Sequence, residues 1–402
     1  MNIRLRALAG GLQRLLPARL RPIVRELVIR MLVPSAQPCA DDHACRITLA
    51  GLLTSPSGIG EAARLYAMAL AMLGYQVGML DLTESLGIPQ GAAMPESHAN
   101  LATGDIGGPI LLVLNPPQFQ FALLLRLVTR KSRRMIACWV WEFETMPDTW
   151  RSAFRFVHEV WVPTLFVQEA LRTAECKASV RVVPYPVAVS LMHTPGPRSE
   201  PGKLRVLSVF AFDSGFDRKN PIAAVAAFRE AFGQRTDVEL VIKVRGHSRT
   251  GEPEQRFAAA IDKAANITVL EGTIDRTSYC RLLSETDVVL SLHRTEGFGL
   301  VLAEAMLMGK PVIATAWSGN LDFTTKETAC LVTAKSIAAR DEPDAYIGLA
   351  ARWADPSQQD AVTWLRRLED PNLRRVIGQA GRRHAVCCFG LEGFAAAVGV
   401  PR

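Results

Sequence analysis

From Arg46 onward, short apolar runs alternate with longer stretches in which apolar residues recur every three or four positions. Runs rich in Val, Ile and Leu between turn residues read as strands covered on both faces, and the 3.6-residue period reads as helices packed on them. In the first half, strands are expected at 46–53, 75–82, 109–115, 135–142, 159–163 and 180–187, with a helix at 57–74. The stretch 193–203 (HTPGPRSEPGK) is rich in proline, glycine and charge, has no apolar period, and reads as a linker. The alternation then restarts, with strands at 204–212, 238–246, 267–274, 287–293, 310–316 and 329–334 and a helix at 219–232; after about 356 only helices are expected. Strand–helix alternation predicts parallel sheets under helices, an α/β fold. Two such blocks predict two doubly wound, Rossmann-like domains at 41–192 and 204–358, followed by helices at 359–402. Such sheets bind ligands beyond the carboxyl ends of their strands, so the loops there, facing a cleft between the domains, are where chemistry is expected.

Residues 1–40 stand outside this pattern. Leu5, Leu8, Leu12, Leu15 and Leu16 recur at helical spacing with arginines between them, Pro17 interrupts, and Ile23, Val24, Leu27 and Val28 resume. Residues 1–32 hold seven arginines against Glu26 alone, +6 of the chain's net +7. A nearly neutral body argues against nucleic acid as a partner. The arm fits a helix on an anionic membrane surface, an amphipathic helix packed on the protein body, or a disordered leader. Arginines interrupt every candidate core of a secretory signal, and no run is long enough to span a membrane, so a cytoplasmic place is expected, peripheral on the inner face of the cell membrane under the first reading of the arm. Eight scattered cysteines without a Cys-x-x-Cys pair suit a reducing compartment, and the spacing in CADDHAC (39–45) fits no common zinc pattern.

Three strand-end loops carry candidate chemistry. In TSPSGIGEAAR (54–64), Gly58 and Gly60 leave room for a ligand at a helix N-terminus. With Asp81 ending the second strand, a dinucleotide site is also admissible, although the glycine signal is weak. In FAFDSGFDRKNP (210–221), Arg218 and Lys219 beside a helix start form a candidate diphosphate site. In HRTEGFGLVLAEAM (293–306), Glu296 and Glu304 bracket a glycine turn. Acids on a single strand–turn–helix unit cannot easily flank a sugar bond from both faces, as a hydrolase requires. They suit a bound polyol, with the amides between them free for an anion. Trp139, Trp141, Trp150 and Trp161 cluster in sequence; core packing is the better reading of most of them than sugar stacking.

The Glu-x7-Glu spacing in EGFGLVLAEAM, followed by GKPVIAT and SGN, resembles the donor-site signature of retaining family 4 glycosyltransferases, which have the GT-B fold. DRKNP is similar to that family's phosphate-binding pair, and SGIGEAAR, WVWEFETMPDTW and EVWVPT resemble its amino-terminal domain in a branch tied to polysaccharide assembly. The resemblance implies an enzyme that moves a hexose from a GDP- or UDP-sugar to a glycan or lipid-linked oligosaccharide. It implies that Glu304 holds the donor ribose, and that Glu296 with the amides of Gly297, Phe298, Gly299 and Leu300 holds the donor sugar. Arg218 and Lys219 would neutralise the leaving diphosphate, and KVRG (243–246) and EGTI (271–274) would lie nearer the base. Many relatives place a histidine opposite the reacting carbon; this chain offers Glu142 and Glu144 there, with Asn115 a further acceptor-side candidate. No Asp-x-Asp clamp is present, so chemistry without a metal or a separate cofactor is expected. The rival readings are a nucleotide-sugar epimerase of the same fold, an NAD-dependent oxidoreductase, and a silent subunit anchoring a polysaccharide assembly complex.

Overall fold

The computed structural model describes residues 21–37, 45–95, 98–130, 133–191, 202–248, 250–340 and 351–399. The first half of the arm, most of the CADDHAC segment and nearly all of the 193–203 linker lie outside the described residues. The chain forms two compact units. The first takes the chain as far as Val140 with Thr145–Pro163 and Gln168–Val183; the second takes Trp141–Glu144, Thr164–Val167 and the chain from Pro184 onward.

The first unit is built on seven strands: β1 (Arg46–Gly51), β2 (Gln76–Asp81), β3 (Leu101–Thr103), β4 (Ile110–Val113), β5 (Met135–Cys138), β6 (Glu159–Val162) and β7 (Ser179–Val182). Their order is β3-β2-β1-β4-β5-β6-β7, parallel throughout. The second is built on β8 (Leu204–Ala211), β9 (Val238–Arg245), β10 (Ile267–Leu270), β11 (Val288–Ser291), β12 (Val312–Thr315) and β13 (Cys330–Val332) in the order β10-β9-β8-β11-β12-β13, again parallel. The expected α/β architecture is therefore present. The central strands β4, β5, β6 and β12 are buried at every position, as continuous apolar runs between two helical layers must be. In each sheet the order reverses at one place, between β1 and β4 and between β8 and β11, and the loops leaving those neighbours diverge to make a crevice.

Two features escaped the apolar pattern. β3 is short and mostly exposed. An antiparallel hairpin, β14 (Ala334–Ala338) with β15 (Arg352–Pro356), leaves the second sheet after β13. Its strands are short, and only Trp353 and Ala354 of their ten residues are buried. It is held by ladder bonds and by Arg352 donating to the Ser336 hydroxyl at 2.8 Å and carbonyl at 2.7 Å, neither of which leaves an apolar period.

The described part of the arm is a helix, Arg21–Leu32, packed on helices Pro116–Leu124 and Asp148–Arg151 of the first unit. Ile29 is fully buried there, while Leu27 and Met31 are 52% and 76% exposed. The segment behind it is tied down by Ala36 N–H donating to the Arg155 carbonyl at 2.9 Å. Among the described residues no helix is long and apolar enough to cross a membrane. The four clustered tryptophans are all buried, Trp161 donating its indole N–H to Glu159 at 2.9 Å. His158 accepts from the Met135 amide at 2.9 Å, a structural role.

In the second unit, helix Gln358–Arg367 packs on Pro221–Phe232, and helix Pro371–Phe389 packs on Leu300–Leu307. The C-terminal helices therefore buttress the two helices that begin at the candidate site.

Candidate active site

The second unit's switch point assembles four of the residues singled out in the sequence. After β8 the chain makes a turn at Phe212–Ser214 and one helical turn, Phe216–Lys219, before Asn220 adopts φ +53° and Pro221 starts the long helix. Asparagine tolerates that left-handed conformation, and its side-chain amide donates to the Leu292 carbonyl at 2.9 Å, pinning the loop after β8 to the end of β11. Arg218 is thereby carried inward and buried. Its Nη1 donates to the Thr295 carbonyl at 3.0 Å and lies 3.2 Å from Glu296 Oε2, while Nη2 donates to the Ser214 carbonyl at 2.6 Å. Lys219 Nζ donates to Glu296 Oε1.

Glu142 joins this cluster. Its Oε1 lies 3.9 Å from Arg218 Nη2 and its carbonyl accepts from the Thr295 hydroxyl. Trp141–Glu144 belongs to the second unit, so Glu142, Arg218, Lys219 and Glu296 form one compact set of charges. Glu144 is exposed. Gly58, Gly60 and Asn115 belong to the first unit.

The cluster drives its two acids apart. Burial alone would raise the pKa of Glu296, but Lys219, Arg218 and His293 outweigh it and bring the carboxyl down to about 2. Glu142 is pushed up, chiefly by burial with Glu296 adding to it, against the pull of Arg218. Burial lowers the Lys219 ammonium, with Glu296 opposing. Two neighbouring acids whose pKa values are driven in opposite directions are the arrangement expected of paired groups with different tasks. A depressed folded-state pKa makes the Glu296 pairing fully stabilising above its ordinary value of 4.5 and lost as pH falls through about 2. Melting temperatures of the wild type and of Glu296→Gln are therefore expected to converge as pH is lowered from about 6 toward 3, which thermal melts across that range would check.

The glycine turn is bolted from beneath. Ser318 Oγ accepts from the Glu296 amide at 2.8 Å, and the Gly319 amide donates to the Glu296 carbonyl at 2.9 Å. A Cβ at position 319 would collide with the Gly297 carbonyl oxygen and lie 2.9 Å from that of Glu296. Gly319→Ala is accordingly expected to cost about 2 kcal/mol or more and to displace the turn, read as a lower melting temperature with weakened nucleotide binding. Fully buried His293 bridges Ser291 Oγ and Asn320 Oδ1, each at 3.0 Å, and Asn320 donates onward to the Thr315 carbonyl at 3.0 Å. Burial lowers the His293 pKa, and Nε2, which faces the acceptor oxygen of Asn320, is the ring nitrogen that donates there. Gly297 accepts from the Thr164 hydroxyl at 2.9 Å. Phe298 turns its ring into the core against Tyr185, Phe323 and Phe389, with centroids at 4.7, 5.3 and 5.4 Å. Gly299, at φ +100°, opens helix Leu300–Leu307, which has no side-chain cap, so its positive dipole end is available to an anion.

Glu304 lies one turn into that helix, 3% exposed. It does not share partners with Glu296. Arg276 Nη1 donates to its Oε1 at 2.6 Å and the Tyr279 hydroxyl to its Oε2 at 2.8 Å, both from helix Arg276–Ser284. Burial and then the Glu304 charge hold the Tyr279 phenol well above its ordinary value, keeping it a donor. KVRG and EGTI meet through buried Lys243, whose ammonium donates to the carbonyls of Val244 at 3.1 Å and Gly272.

In the first unit, Gly58 is exposed at the start of helix Gly58–Met72, capped by Ser57 Oγ accepting from the Gly60 amide at 3.2 Å. A Cβ on Gly60 would lie 2.5 and 2.6 Å from the Ser55 and Leu52 carbonyl oxygens, so packing against its own loop already demands glycine there. Asp81 is engaged locally by the hydroxyls of Thr54 and Thr83, each at 2.6 Å. Asn115 precedes Pro116 at a helix start, and its Oδ1 accepts from the Val140 amide at 3.0 Å. Among the described residues no group of three or more metal-binding side chains is present.

A family profile described as "Family 4 Glycosyltransferase in conflict systems" matches residues 164–370. No curated protein matches the chain. Among solved structures, HepE of Anabaena in complex with UDP and glucose is 15% identical over 88% of this chain and 98% of its own, with a TM-score of 0.60. Sucrose-phosphate synthase from Thermosynechococcus elongatus is 20% identical over 88% and 97%, with a TM-score of 0.61. The pneumococcal O-GlcNAc transferase GtfA in complex with UDP and GlcNAc is 15% identical over 72% and 55%, with a TM-score of 0.50. The fold shared with these glycosyltransferases is GT-B.

Proposed function

The chain belongs to the family 4 glycosyltransferases of conflict systems, and from that premise we propose that it moves a hexose from UDP- or GDP-hexose to a glycan or lipid-linked saccharide, with retention and without a metal ion. The observation that carries this reading is the meeting of Arg218 and Lys219, from the loop after β8, with Glu296, from the loop after β11, at the second sheet's switch point. Buried Arg218 and part-buried Lys219, already paired with a carboxylate, are held in place before any ligand arrives. A nucleotide diphosphate seated there takes over the cations, and its growing charge as the sugar leaves is stabilised by groups that need no reorganisation. Glu296, released from part of its pairing, accepts from donor-sugar hydroxyls, and the backbone of Gly297, Phe298, Gly299 and Leu300 frames the same sugar. Glu304 retains acceptor capacity beyond its bonds to Arg276 and Tyr279, which suits ribose hydroxyls. Glu142, whose pKa burial pushes up, is the group proposed to face the reacting sugar. Asn115 and Glu144 are proposed on the acceptor side, and Gly58 and Gly60 beside the donor. The arginine-rich arm supports work at the inner face of the cell membrane, in polysaccharide assembly.

Nucleotide release from a panel of UDP-, GDP- and dTDP-sugars, with membrane lipid extracts as acceptor source, tests the reading. Turnover of a UDP- or GDP-hexose into an acceptor-linked product of unchanged anomeric configuration is expected, at the same rate in EDTA as in magnesium. An isomer formed from donor alone would mark an epimerase instead, and failure of every donor to bind or turn over would end the transferase reading.

A further inference from the structure

The helix Arg21–Leu32 turns apolar side chains both inward and outward. Ile29 within it and Val33 just after it are buried, where the helix packs on Pro116–Leu124 and Asp148–Arg151. On its other side Leu27, Met31 and Leu32 are each more than half exposed. Leu27 and Met31 stand four residues apart, on one face. Among the described residues eight large apolar side chains are exposed, and three of the eight fall within these six positions. Single exposed leucines are ordinary; a contiguous group on a helix already docked by its other side marks a surface that something covers.

Charge decides what covers it. Residues 1–45 hold seven arginines against Glu26, Asp41 and Asp42, a net of +4. Arg30 stands half exposed on the helix, paired with Glu26 at 2.7 Å. Just past the helix, exposed Arg155 donates to Ser35 Oγ at 3.0 Å. Arg155 and Arg130 lie against the Phe156 ring, 5.4 and 5.8 Å from its centre, and neither meets a carboxylate among the described residues. A second copy of this face would bring like charge to like. Residues 1–20 would do the same, since their four arginines stand with no acid. An anionic lipid surface suits both halves of the patch, the apolar side chains and the arginines beside them.

We propose that the outer face of helix Arg21–Leu32 is a preformed seat on an anionic bilayer. Leu27, Met31 and Leu32 enter the headgroup boundary, and Arg30 and Arg155 meet lipid phosphates. Because Ile29 and Val33 already fix the helix to the first unit, contact requires no ordering of it. The proposal deepens the membrane part of the proposed function and rests on it for which bilayer is meant; the seat itself rests on the helix.

Flotation of the full chain with vesicles of phosphatidylcholine alone, or of an equal mixture with phosphatidylglycerol, tests this. The wild type is expected to float with the mixed vesicles and to stay behind with phosphatidylcholine alone. Leu27→Gln combined with Met31→Gln is expected to weaken binding about tenfold or more, because two apolar side chains no longer gain by leaving water. Its melting temperature should match the wild type, since both positions stand in solvent, and Met31→Leu should bind normally. Arg155→Ala is expected to weaken binding about fivefold, the share of one cation at such a surface. A wild type that ignores the mixed vesicles, or floats equally with phosphatidylcholine, would overturn the seat. So would a double variant that floats like the wild type, which would move the contact to residues 1–20. A double variant that melts several degrees lower would show the face covered by the chain itself, and a wild-type dimer that the double variant splits in sedimentation would show it covered by a second copy; either overturns the proposal. Vesicle binding without turnover of any nucleotide sugar keeps the seat and loses the transferase reading; turnover with lipid-extract acceptors but no vesicle binding does the reverse.

Discussion

Glu296→Ala is expected to abolish detectable transfer and to lower the melting temperature of its unit by about 10 °C. The carboxylate sits 3.2 Å from Arg218 and is bonded to Lys219 in a buried cluster. Removing it takes the nearest counter-charge from buried Arg218 and part-buried Lys219, and breaking a buried pair from one side costs about 3–5 kcal/mol. In a unit of this size each kilocalorie moves the transition by roughly 2–4 °C. Glu296→Gln separates the two roles. It keeps the volume and one acceptor oxygen, so the melting temperature should fall by less, while transfer should still fall by about 10²-fold or more because the sugar-facing charge is gone. Differential scanning calorimetry beside an assay of acceptor-linked product checks both, and a Glu296→Ala protein that transfers normally would remove this residue from the chemistry. Nucleotide binding by Glu296→Gln should persist, since Arg218, Lys219 and Glu304 remain.

Arg218 carries the second large effect. Arg218→Ala is expected to reduce kcat by about 10²–10³-fold, the usual loss when a preorganised donor to developing charge is removed. Arg218→Lys should recover little of this. The guanidinium reaches the Thr295 carbonyl, the Ser214 carbonyl and Glu296 from one planar fork, at 3.0, 2.6 and 3.2 Å. A single ammonium cannot meet all three, so the loops after β8 and β11 would lose their shared anchor. Single-turnover measurements at saturating donor distinguish the losses: a slowed chemical step with near-normal donor affinity is the expected pattern, and an unchanged rate would place charge stabilisation elsewhere.

How much of this was legible in the chain follows from which interactions leave a local trace. Strands such as β4, β5 and β12 are covered on both faces, so each had to be a short unbroken apolar run, and each was readable. Arg218, Lys219, Glu296 and Glu304 were readable for a related reason, since they stand at strand ends and helix starts where a doubly wound sheet must present its ligand groups. The partners of those residues left no such trace. Arg276 and Tyr279 lie on an ordinary-looking helix, and nothing local marks them as the pair that holds Glu304. Ser318 and Asn320 were visible only as members of SGN, without the roles of accepting from the Glu296 amide and orienting His293.

The sequence by itself determined the α/β class, the two sheets, the placement of most strands and the identity of the cationic pair and the two bracketing acids, because periodicity and strand-end position are local properties. Only the tertiary structure decided that Glu142 shares a charge cluster with Arg218 and Glu296, that Gly60 and Gly319 are demanded by backbone contact, and that an antiparallel hairpin follows β13. The meeting of distant segments, and the way burial shifts charge between them, are not encoded in the spacing of residues along the chain.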